Sequence, residues 1–194
     1  MKWMKGLFLF AIVFLLAACG NNDTNGFEET DFLKFDKDNA ILTLPKKFFE
    51  EQTEEEIRED ADGEEIKEVE INDDGSVTYT LSKERHKEIV DDFKTEIDQA
   101  VEDIQNDEDY PSIKKIEMKN DYAAYDIYVD RTTFENSMDM LATITLYIGS
   151  SYYQGFSGYG DQIKVTLNYY DDATKELMQS VVLPDDLDEV EEGV

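Results

Sequence analysis

Cysteine occurs once, at Cys19, and histidine once, at His86, in a chain of 194 residues. A lone cysteine makes no intramolecular disulfide and no thiolate cluster. A single histidine and a single thiol also fall short of the usual ligand sets of zinc enzymes. The chain has no GxSxG elbow, no glycine loop to cradle phosphate and no dinucleotide fingerprint. Basic residues are scarce, 18 against 47 acidic, and the net charge is −29. Such a field repels nucleic acid and anionic headgroups, so neither is expected as a ligand. Long hydrophobic runs are missing too. The apolar stretch of residues 6–16 falls short of the roughly 20 residues needed to cross a ~30 Å hydrocarbon core.

That short run is nevertheless the organising feature of the chain. Lys2 and Lys5 precede it, and Leu16-Ala17-Ala18-Cys19 closes it. A positive start, an apolar middle and small residues before a cleavage point make a secretory signal. The tetrad ending at Cys19 resembles the lipobox of bacterial lipoproteins. The resemblance implies acylation of the Cys19 sulfur and cleavage just before it by signal peptidase II. The other reading is an ordinary signal peptide with an incidental cysteine. Loss of residues 1–18 removes two of the lysines and no acid, so the mature chain is two charges more negative than the precursor. The resemblance places the protein on the extracytoplasmic face of the cell membrane, held there by lipid on Cys19.

Residues 20–26, GNNDTNG, are small, polar and aperiodic, and residues 19–31 read as a flexible tether. The 13 residues from Cys19 to Phe32 reach about 45 Å when stretched and about 20 Å as a coil. A single domain is expected over residues 32–184, and residues 185–194 form an acidic tail. Eleven Tyr and eleven Phe argue against wholesale disorder.

Within the domain, AILTL at 40–44 is a short strand candidate, and Pro45 suits the first turn of a short helix. Thr53 and Glu56 have capping-box spacing, opening a brief acidic helix. Residues 65–71 and 76–81 alternate around Asp73-Asp74-Gly75, which predicts a hairpin. Ser82 is the predicted N-cap of a long helix with the stripe Ile89, Val90, Phe93, Ile97, Ala100, Val101, Ile104. A second hairpin over 113–118 and 122–129 leads to a second predicted helix, capped by Asp130 or Thr132. Its stripe is Phe134, Met138, Leu141, Ile144, Ile148, Tyr152. The segment ATITLYI at 142–148 also has strand character, but the helical stripe runs through it on both sides. A third hairpin spans 162–170 and 176–183. The order ββα-ββα-ββ predicts an α+β fold, with an antiparallel sheet of about six strands and two long helices packed on one face.

His86, in the first turn of the first long helix, reads as a solvated surface residue rather than a general base. The acidic loops at 60–63 and 72–75 resemble pieces of a calcium loop, but either register leaves the twelfth position without a glutamate. No metal site and no cofactor are expected. The unusual stretch is YIGSSYYQGFSGY at 147–159. Aromatics among Gly and Ser at a helix end can line a sugar or peptide groove, which makes Tyr153, Phe156 and Tyr159 the candidate contact residues. Alternatively, Tyr152 and Phe156 extend the core while Gly155, Gly158 and Gly160 close the helix. The DGSVTY hairpin before a helix and the YQGFSG ending resemble small acidic lipoproteins and secreted proteins of Gram-positive bacteria, a likeness that implies no particular activity. These features predict a non-enzymatic binding or envelope-interaction module, partnered with the membrane through Cys19 and with an envelope polymer or protein. The alternative is a carboxylate-dependent hydrolase of envelope polymers, which needs two carboxylates about 5–9 Å apart in a concave site.

Overall fold

The computed structural model describes residues 27–63 and 65–186. Cys19, the signal segment and most of the acidic tail lie outside the described residues. The fold is α+β, built on two four-stranded sheets rather than the single six-stranded sheet expected.

Strands β1 (Leu33–Phe35), β2 (Asn39–Leu44), β3 (Glu68–Ile71) and β4 (Val77–Ser82) form the first sheet, wholly antiparallel in the order β1-β2-β4-β3. Alternation decides its inner face. Leu33 sits opposite Leu42, and Leu42 opposite Tyr79, while Ala40 faces Leu81. All five are buried, and the intervening Lys34, Ile41, Thr78 and Thr80 are not. The hairpin turn forms as its residues demand. Gly75 adopts φ +84°, and Asp74 Oδ1 accepts from the Ser76 amide at 2.9 Å. Between the two hairpins lies helix α1 (Glu54–Gly63). Its capping box closes with Thr53 N–H donating to Glu56 Oε2 at 2.7 Å and Glu56 N–H to Thr53 Oγ1 at 3.3 Å.

Helix α2 (Lys83–Asn106) follows directly, with Ser82 Oγ accepting from the Arg85 amide at 3.1 Å. At ~1.5 Å per residue its 24 residues carry the chain about 36 Å. That distance is why the strands after it build a second sheet instead of extending the first. This sheet comprises β5 (Ile113–Lys119), β6 (Ala124–Val129), β7 (Val165–Asp171) and β8 (Leu177–Leu183), in that order. β6 and β7 are parallel. The helical connection between them crosses the sheet face and returns to the same end, which a hairpin turn cannot do.

That connection also departs from the single long helix expected. It is split into α3 (Arg131–Phe134), a 3₁₀ turn at Asp139–Thr143 and α4 (Ile144–Phe156). Asp130 caps α3, accepting from the Thr133 amide at 2.9 Å. The chain then turns because the buried Asp139 carboxylate is held by Ser112, whose amide donates at 2.9 Å and whose hydroxyl donates at 2.5 Å. The stripe expected for this helix holds at Phe134 and Ile144, which pack on the core, and fails at other positions. Met138, Ile148 and Tyr152 are exposed, whereas Leu146, Ser150, Tyr153 and Gln154 face inward. Small residues set that phase by letting α4 approach α2 closely. A Cβ added at Gly149 would lie 2.9 Å from Ile97 Cγ1. Gln154 then ties α4 to the strand beyond, donating to the Lys164 carbonyl at 3.0 Å and accepting from its amide at 3.1 Å.

The α2–α4 pair packs against both sheets, and Phe27, Phe93 and Phe156 touch both apolar cores. His86 is fully buried at this junction, contrary to the surface position expected for it. The first turn of α2 is covered because residues 27–31, read from sequence as tether, pack on the domain. The Phe27 ring meets the imidazole edge-on at 4.8 Å.

Candidate functional site

The C-terminal turn of α4 is the point from which the site is built. The helix ends in a Schellman closure, with Tyr159 N–H donating to the Gln154 carbonyl and Gly158 N–H to that of Gly155, both at 3.0 Å. Gly158 and Gly160 hold φ of +85° and +56°. The second of these glycines is also needed for space, since a Cβ on Gly160 would fall 2.1 Å from the Phe32 ring.

Onto this turn folds the strap of residues 27–32. Thr30 Oγ1 donates to the Gly158 carbonyl at 2.8 Å, and Glu29 Oε1 accepts from the Phe35 amide at 3.1 Å. Residues 27–31 therefore belong to the folded domain rather than to a tether, and the strap becomes one wall of a groove.

The groove encloses about 1280 Å³ and is open to solvent. The strap bounds it on one side and Lys87, Asp91 and Lys94 of α2 on another, while Asp121 and the end of α4 complete it. Tyr153 is a buried wall. Its hydroxyl donates to Asp121 Oδ2 at 2.7 Å, its ring lies 4.8 Å from Tyr122, and the Lys94 ammonium sits 5.5 Å from the ring centre. Burial, then the hydrogen bond to Asp121, pushes the phenol above its ordinary value. Tyr159 stands at the rim, 38% exposed. Asp91 is ion-paired to Lys87, and that hydrogen bond holds its carboxyl below the usual range.

The three candidate aromatics therefore do not form one row. Tyr153 and Tyr159 come together in the groove, whereas Phe156 lines a separate apolar cavity with Phe93. The Phe156 carbonyl accepts from His86 Nε2 at 2.7 Å, which gives that residue a structural duty. Gly158 and Gly160 close the helix, and Tyr153 and Tyr159 line the groove. Sequence patterns do not single out Lys34, Lys87, Lys94 or the strap. Asp121 alone had a signal, as part of the Asn-Asp turn after β5.

The acidic loops have local duties. Residues 60–63 are helical, and Asp74 caps its own turn. No cluster of three or more His, Cys, Asp or Glu side chains suited to a metal occurs among the described residues. No helix among them is long and apolar enough to cross a membrane. No protein family, curated protein or solved structure matches the chain.

Proposed function

We propose that the protein is an extracytoplasmic lipoprotein, anchored through Cys19, that binds a stretch of envelope polymer in the groove beneath its strap. The observation carrying this reading is the groove itself. An exposed Tyr159, a Tyr153 hydrogen-bonded to Asp121 and the ammonium groups of Lys87 and Lys94 line an open groove of about 1280 Å³. Aromatic faces supply contact area at little entropic cost, and the flanking charged groups supply direction. In this reading the channel lies close to the anchor. From Cys19 to Phe27 is eight residues, about 28 Å when stretched and about 16 Å as a coil.

Binding is favoured over hydrolysis by the groove's electrostatics. A glycosidase needs one carboxyl raised so that it can donate a proton. Among the groove's carboxyls, Asp91 is shifted the opposite way by its hydrogen bond to Lys87.

Two measurements test the proposal. Fatty-acid labelling of growing cells is expected to mark the natural chain and to leave Cys19→Ala unlabelled and in its precursor form; label on the variant would refute the anchor. For the groove, full chain in non-ionic detergent is pulled down on purified envelope. Tyr159→Ala is expected to weaken retention about 5–10-fold, near 1 kcal/mol, because a rim aromatic is lost without opening a cavity. Its melting temperature should stay unchanged. Retention equal to that of the natural chain would remove the groove from the function.

A further inference from the structure

The apolar cavity that takes Phe156 shares no lining residue with the groove and encloses about 470 Å³. Six rings run around it in sequence. Phe156 lies 5.3 Å from Phe93, Phe93 5.8 Å from Tyr152, and Tyr152 5.4 Å from Phe48. Phe48 is then 6.5 Å from Phe49, and Phe49 is 6.3 Å from Tyr79. These rings arise from the 3₁₀ turn after β2, from β4, from α2 and from α4, so they converge from separate elements rather than continuing one stripe. Core packing does not consume them all. Tyr152 is 40% exposed, and the space between the rings stays open.

The rim of this cavity is acidic. Asp60 of α1 and Asp92 and Glu96 of α2 line it, and all three are exposed. Asp60 accepts from Gln52 Nε2 at 3.0 Å. Asp92 and Glu96, one helical turn apart, take part in none of the ion pairs formed among the described residues. Among the described residues the one cation lining the cavity is Arg85, which is engaged by Glu88 at 3.5 Å.

We propose that this cavity is a second ligand site, taking a small organic cation: an ammonium group that carries an apolar ring or chain. Aromatic faces attract a cation placed within about 6 Å of their centres, most strongly where water is excluded. The apolar body of such a ligand fills the space between the rings, and its charge meets Asp92 and Glu96. An anion of the same shape is repelled by the three carboxylates and by the net charge of −29. The volume falls within the ~300–1,000 Å³ of small-molecule pockets.

The test uses benzyltrimethylammonium, with benzylsulfonate and benzyl alcohol as anionic and neutral counterparts. Full chain in non-ionic detergent is titrated by calorimetry, and the N-methyl protons are followed by NMR. The expected result is saturable binding of the ammonium with its methyl signal moved upfield by the rings, and no saturation with either counterpart. Asp92→Asn with Glu96→Gln should weaken binding about tenfold. The paired change Glu102→Gln with Asp103→Asn, at the far end of α2, removes the same charge and should leave binding intact. Tyr152→Ala should weaken binding with an unchanged melting temperature, because its ring is half out of the core. Absence of saturation overturns the site. Equal binding of benzyl alcohol, or equal losses in the two paired variants, also overturns it, since the first means an apolar hole and the second a diffuse charge effect.

Discussion

Leu146→Ala is expected to lower the stability of the domain by about 2–5 kcal/mol, whereas Ile148→Ala two residues away should cost less than about 1 kcal/mol. Leu146 is 0% exposed within the core of the second sheet, and Ile148 is 49% exposed. Leucine truncation at a fully packed position removes transfer energy and leaves a cavity that its neighbours fill only in part. Here the surroundings are stiff. Gly149 lets α4 lie against Ile97 of α2 with no slack, and Thr143 one turn earlier is locked to the Tyr169 hydroxyl at 2.7 Å. Ser150 is likewise held by the Tyr125 hydroxyl at 2.6 Å. Neither helix nor sheet can therefore close over the missing methyl groups. Urea midpoints at constant m-value provide the measurement. Equal shifts for the two variants would return the helix to the phase in which Ile148 faces the core.

The contrast between these two residues also explains which parts of the fold were legible in the sequence. Where burial is signalled by apolar side chains, the pattern was sufficient. The β3–β4 hairpin, the Ser82 cap and the α2 stripe through Ile89, Val90, Ile97 and Ile104 all form as the spacing requires. In α4 the buried face is instead Leu146, Ser150, Tyr153 and Gln154, with Gly149 at the α2 contact. Hydroxyl, amide and glycine positions carry no hydrophobic signal even when they are the tightest part of the packing. An apolar stripe continued from Ile144 to Ile148 and Tyr152 thus ran off the buried face of the helix.

Topology was hidden for a different reason. Whether two hairpins extend one sheet or found a second depends on where a 24-residue helix delivers the chain, and that is decided by long-range packing. The groove was half visible. Tyr153 and Tyr159 belong to an unusual local composition, but their companions Lys87, Lys94 and Asp121 come from surfaces that look ordinary in sequence. The strap was read as tether because residues 27–31 hold one aromatic among acids, and that aromatic, Phe27, is the residue that covers His86.

Burial of His86 sets the last expectation, a loss of stability on mild acidification. Its Nε2 faces the Phe156 carbonyl at 2.7 Å and so carries the proton, while Nδ1 has no hydrogen-bond partner among the described residues. The rings of Phe27 and Phe35 stand edge-on at 4.8 and 5.8 Å. Burial lowers its pKa, with the carbonyl contact opposing this only in part. The sign follows from proton counting. The unfolded chain binds a proton near pH 6.5 and the folded chain does so only at lower pH, so the unfolded state holds more protons in between. Stability owed to neutral His86 is therefore complete above about pH 6.5 and is lost as the pH falls toward and through the depressed folded value. Carboxyls held low by hydrogen bonds, such as Asp36, Asp74 and Asp130, contribute only nearer pH 4 and below. Relief of the repulsion behind the −29 charge acts the other way, and in 1 M salt, with a Debye length of about 3 Å, it is largely screened. Unfolding curves between pH 7 and pH 5 in that salt should show the natural chain weakening and His86→Gln holding level, because a glutamine amide can still donate to Phe156 without taking up a proton. His86→Ala should lose about 2–4 kcal/mol at every pH in this range, through the cavity beneath Phe27 and the orphaned carbonyl. A natural chain as flat with pH as the glutamine variant would mean that water reaches His86, and that the strap does not close over it.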